Sequence, residues 1–151
     1  MKSSRYSISI VKERAHRAVA YLVCPGSTFA NAGATFTGKS DVHERKFRYG
    51  IDRWMQGLDG NRQISHGWDK STGKGKYLSC YVFKSKNQRM YGFLVRPASP
   101  SGAELCVLVH RCAKNTHHTD LTVLDRVAAL SKDLELQIAI DRHFEGDPLH
   151  G

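Results

Sequence analysis

The residues best suited to chemistry fall between positions 74 and 118 of the 151-residue chain. They are Lys74, Lys76, Lys84, Lys86, Arg89, Arg96, His110, Arg111, Lys114, His117 and His118. Tyr77, Tyr81, Phe83, Tyr91 and Phe93 interleave with them, and Trp68 precedes them. Lysine and arginine neutralise phosphates and release their counterions. Aromatic rings stack bases, and histidine exchanges protons near neutral pH. The set therefore points to a polyanionic partner.

The distribution of charge reinforces this. Residues 60–89 hold seven basic side chains and one acidic one, whereas 119–151 hold three basic and seven acidic ones, within an overall formal charge of +9. Other chemistries find less support. Gly73-Lys74-Gly75-Lys76 is too short for a phosphate-cradling loop of the nucleotide-binding kind. His110-Arg111-Cys112 with His117-His118 offers zinc-type ligands without a zinc-type spacing. There is no Gly-x-Ser-x-Gly turn, and Asp141 with Glu145 reads as a solvated face. No metal and no cofactor are expected.

Composition is that of one globular domain over 1–151, with 40% hydrophobic and 25% charged residues. No apolar run is long enough to cross a membrane. Met1–Ile10 lacks the apolar core of a signal peptide. The four cysteines are too few and scattered for a disulfide scaffold, and Cys80 and Cys106 lie in apolar runs where a thiol packs as a small hydrophobe. A reducing, cytoplasmic setting without membrane contact is the expectation.

Periodicity then supplies the elements that must position these residues. Tyr6, Ile8 and Ile10 alternate with serines, which predicts a strand over 5–11. Ala15, Val19, Leu22 and Val23 share a helical face, which predicts a helix over 12–23 ended by Pro25-Gly26. Residues 27–41 read as a long loop with a short element near Phe29 or Phe36. A helix follows, capped by Asp41 with Glu44 three residues on, its stripe being Phe47, Ile51, Trp54, Met55 and Leu58. Residues 62–75 read as a polar loop. Strands over 76–83, 89–96 and 103–110 then form an antiparallel meander, with turns at 84–88 and 97–102. On the first, Leu78, Cys80 and Val82 should face the core, leaving Tyr77, Ser79, Tyr81 and Phe83 on the other face to stack bases. Thr119 or Asp120 caps a helix running to about Lys132. Leu134, Leu136, Ile138 and Ile140 alternate and read as a final strand, with a continued helix as the alternative, and 145–151 reads as a frayed tail. The fold class is α+β, with a small antiparallel sheet and helices packed on one face.

From Trp68 to Leu130 the chain resembles the RelE/HigB toxins of the RelE/ParE superfamily, in particular the phage-associated HigB-like branch. The resemblance rests on Tyr77-Leu78-Ser79-Cys80-Tyr81, on Arg89-Met90-Tyr91, on Val107 to Thr116, which takes the place of the family's Leu-His-x-Phe-x-Lys-Lys motif, and on the Asp120–Leu130 helix with Arg126 and Ala128-Ala129. The motif's second lysine is Asn115 here, the usual arginine of the first meander strand has no clear counterpart, and the N-terminal half is larger than in a typical toxin. The resemblance implies a RelE-like fold and an mRNA endoribonuclease, acting on RNA or the ribosome and neutralised by an antitoxin.

Metal-independent cleavage of RNA uses the 2′-hydroxyl as nucleophile and needs a base, an acid and cations around the phosphorane. His110, His117 or His118 is the candidate base or acid. Arg89 and Lys114 are candidate catalytic cations, with Lys74, Lys76, Lys84, Lys86, Arg96, Arg111 and Tyr81 holding the strand. The alternative is an inactive binding module of the same fold that clamps or inhibits a nucleic acid or a host protein.

Overall fold

The computed structural model describes residues 5–38, 41–58, 60–97, 103–114 and 121–145. Six strands form one sheet: β1 (Ser7–Glu13), β2 (Arg17–Val23), β3 (Ser65–Gly67), β4 (Cys80–Ser85), β5 (Gln88–Val95) and β6 (Glu104–Ala113). Their spatial order is β1-β2-β6-β5-β4-β3. Every pairing is antiparallel except β2 with β6. The helices are α1 (Val42–Met55), α2 (Leu121–Ser131) and α3 (Leu134–Glu145). The α+β class stands, but the helices divide between the faces of the sheet. α1 covers one face, burying Phe47, Ile51 and Trp54 against Tyr81, Phe83, Met90 and Leu108. α2 and α3 cover the other, burying Leu124, Val127, Leu136 and Ile140 against Cys80, Val82, Phe93 and Val107.

Two elements differ from the sequence expectation. The helix expected over 12–23 is the end of β1 and all of β2, joined by a tight turn in which Arg14 N donates to Arg17 O at 2.9 Å. β2 is buried on both faces: Ala18, Ala20 and Leu22 point toward α2 and α3, and Val19 points toward α1. A strand covered on both sides has no polar alternation to show, so its apolar residues also fit a helical face. The final strand expected over 134–140 is α3. Asp133 caps it, its Oδ1 accepting from Leu136 N at 3.0 Å. Leu136, Ile140 and Phe144 are buried at four-residue spacing, while Leu134 and Ile138 are exposed. A period-two apolar run contains a period-four subset, and that subset is what the core uses.

The remaining elements follow their sequence signals closely. Asp41 Oδ1 accepts from Glu44 N at 2.8 Å and starts α1. The polar loop over 62–75 contains β3, a three-residue edge strand. β4 begins at Cys80 rather than Lys76 and runs through Ser85, so the β4–β5 turn narrows to Lys86-Asn87. Lys86 there takes a left-handed conformation, φ +54°. A bulge interrupts β5–β6 pairing between Tyr91 and Gly92. A Cβ on Gly92 would lie 2.3 Å from Val107 O, so only glycine allows the strands this close. Cys80 and Cys106 are buried, and burial pushes the Cys80 thiol up to about 11.

Candidate functional site

Side chains alternate along a strand, so the core assignments fix which residues share a face. Val82 and Tyr91 lie on the face that carries α2 and α3. Lys84, two residues past Val82, and Arg89, two before Tyr91, extend that face toward the β4–β5 turn. Register joins them across the sheet. Lys84 stands opposite Arg89, and Arg89 opposite Cys112. The next row, back toward the core, reads His66, Val82, Tyr91, His110 across β3, β4, β5 and β6. One end of one sheet face thus carries a cationic row beside a row ending in two imidazoles.

Backbone contacts gather further cations there. Lys84 Nζ donates to Arg62 O at 2.7 Å, which draws the chain before β3 onto the row. Lys114 N donates to Asn87 O at 2.6 Å, which holds the end of β6 beside the β4–β5 turn. Arg89 Nη1 donates to Lys86 O at 2.7 Å and to Gln88 O at 3.0 Å. Its Nε is buried and meets no acceptor among the described residues. Burial, followed by Arg89, Lys114 and Arg62, holds the Lys84 ammonium below the usual lysine range. These cations are close enough to repel one another, a cost that an anion seated among them would relieve.

His66 responds to the same field. Its Nδ1 lies 2.8 Å from Gly67 O. A carbonyl can only accept, so Nδ1 carries the proton and the neutral ring offers Nε2 as a base. The ring is pushed down to about 4, first by burial and then by Lys84, Arg62 and Lys114, against the opposing Gly67 bond. It is therefore neutral at pH 7.

His110 is placed differently. Its Nδ1 lies 2.7 Å from Phe29 O, and its ring stacks on Phe29 with centroids 4.2 Å apart. The Arg126 guanidinium sits 3.8 Å from the centroid of the same phenyl ring. Two groups so near the ring centre cannot share one face of it, so Phe29 is sandwiched. Three strand spacings separate the backbones of His66 and His110, about 14 Å. With each Nδ1 tied to a carbonyl, the two imidazoles do not converge on one phosphorus atom.

The structure thus brings Lys84, Arg89 and Lys114 together, with Lys86 at the adjoining turn. It separates the others. Arg111 lies on the opposite face, its guanidinium donating to Gln88 Oε1 and Thr35 Oγ1 at 3.1 Å each and covering Phe47. Tyr81 is buried beneath α1, with its hydroxyl 2.9 Å from Ser65 Oγ, so it cannot stack a base. Its expected free face is a second core, because α1 covers it. Lys76 pairs with Asp125 at 2.8 Å, which raises the lysine and lowers the carboxyl. Lys74 sits in a 3-10 turn before β4. Arg96 lies seven residues along the chain from Arg89, about 23 Å in an extended strand. His117 and His118 fall outside the described residues, as do Thr119 and Asp120.

His66 and Arg62 are the additions. The sequence signal for His66 is the alternation of Ile64, His66 and Trp68, which marks a short strand inside a polar segment. Among the described residues, no group of three His, Cys, Asp or Glu side chains is placed to hold a metal, and no helix is long and apolar enough to cross a membrane. No family model, curated protein or solved structure matches the chain.

Proposed function

We propose that this protein binds a nucleic-acid strand through its phosphates, at the end of the sheet formed by Arg62, Lys84, Arg89 and Lys114. The observation that carries this reading is the convergence of these cations: Lys84 stands opposite Arg89 across β4 and β5, its Nζ donates to Arg62 O at 2.7 Å, and Lys114 N donates to Asn87 O in the adjoining turn at 2.6 Å. RNA is the expected strand on the resemblance to RelE/HigB toxins. The expected experiment is fluorescence anisotropy with a labelled single-stranded RNA. Replacing Lys84, Arg89 and Lys114 together by alanine should weaken binding at least 100-fold at low salt. Replacing Arg14, Lys46 and Arg142, which removes the same charge elsewhere, should change it less than threefold. Equal losses in the two variants would defeat the proposal.

A second reading, cleavage of the bound RNA, is favoured by the position of His66, whose row adjoins that of Lys84 and Arg89. A neutral His66 is in the protonation state to accept the 2′-hydroxyl proton, and Lys84, its pKa lowered, is an acid able to protonate the leaving 5′-oxygen. His66 and Lys84 are the proton carriers of this reading, beside His110 and His117 as the candidates expected from the sequence. If the protein cleaves RNA, His66→Gln should lower kcat about 100-fold with binding kept. Unchanged kcat in that variant would assign the base elsewhere.

A further inference from the structure

We propose that Trp68 is a stacking platform for an unpaired base, so that the ligand of the cationic cluster is single-stranded. The inference rests on the phosphate-binding reading and adds what the bases do. Most aromatic side chains that could meet a base are enclosed: Tyr77, Tyr81, Phe83, Tyr91 and Phe93 are all buried. Trp68 is only partly buried and packs at the margin of the core on the side of the sheet that carries the cations.

Its position is held from two directions. His66 meets the indole edge-on, with centroids 4.9 Å apart and planes at 62°. Tyr91 lies nearly parallel to it at 6.3 Å and 24°. Both neighbours belong to the row adjoining Lys84 and Arg89. A ring fixed this way loses little freedom when a base settles on it. Within a duplex each base already has neighbours on both faces, so a protein-borne ring selects bases that are unpaired. The arrangement places a phosphate site and a base site side by side, as a strand tracking across the sheet end requires.

The chain's two tryptophans make the test direct. Trp54 is 1% exposed and lies under the Arg17 guanidinium, so a change in emission on binding reports Trp68. The probes are a mixed-sequence eight-nucleotide RNA, the same RNA paired with its complement, and inorganic polyphosphate. The single strand should quench emission saturably, and polyphosphate should bind with little quenching. Trp68→Ala should weaken single-strand binding about tenfold, leave polyphosphate affinity within twofold, and have little effect on the duplex. Trp68→Tyr, which keeps a ring, should restore most of the loss. Equal weakening of RNA and polyphosphate by Trp68→Ala would give the residue a structural role and overturn the proposal. So would single-strand binding that neither quenches emission nor responds to the substitution. Polyphosphate binding without any advantage for the single strand would remove the stacking site alone, whereas failure of every probe to bind would remove the cationic site with it.

Discussion

His66 is neutral at pH 7 because burial and the field of Lys84, Arg62 and Lys114 both oppose its cation. Its folded value of about 4 lies below the ordinary 6.5. Between those values the unfolded chain binds more protons, so stability falls as pH drops from about 6.5 toward 4. Thermal melts across that window should show a steeper loss of Tm for the native protein than for His66→Gln. An anion seated on the cluster cancels part of the field and eases protonation of His66. Polyphosphate affinity should therefore rise as pH falls through the same window, and the rise should be shallower in His66→Gln. Parallel pH profiles for the two proteins would show that His66 does not sense the site. Lys84, Arg89 and Lys114 were legible as cations in the sequence, but their convergence was not, because it depends on β4–β5–β6 register. Arg111 shows the converse. It sits between two residues of the opposite face in a strand whose register shifts at Tyr91/Gly92, so sequence proximity to His110 and Cys112 misled.

Among the elements, α1 and the β4–β5–β6 meander were readable because each has one strong local signal: the Asp41–Glu44 cap for the helix, and short turns for the strands. β2 and α3 were misread for the same physical reason. Tertiary burial, not local pattern, decides which of their apolar residues matter. α3 offers a clear check. On a strand, Leu136 and Ile138 would face the same way, but on the helix Leu136 is fully buried and Ile138 is 52% exposed. Leu136→Ala should cost about 2–5 kcal/mol in denaturant unfolding, as filled core sites do, while Ile138→Ala should cost less than about 0.5 kcal/mol. Similar losses at the two positions would contradict the helix.

Across the whole molecule, the two cores hold α1 on one side of the sheet and α2 with α3 on the other, and the cationic row emerges where β4 and β5 run past the second core. Over 121–145, which holds α2, α3 and the turn between them, five acidic residues outnumber three basic ones. Charge is thus segregated between the end of the sheet and its helical cover, which a sequence reading could find as a composition shift but could not place in space. The most direct test of the phosphate site is the salt dependence of single-stranded RNA affinity. A strand held by four cations should give a slope of log K against log salt concentration of roughly −3. With Lys84, Arg89 and Lys114 replaced by alanine, the slope should shrink to roughly −1 or less, while replacing Arg14, Lys46 and Arg142 should leave it unchanged. A slope unaffected by loss of the cluster, or lowered equally by both sets of substitutions, would contradict the account.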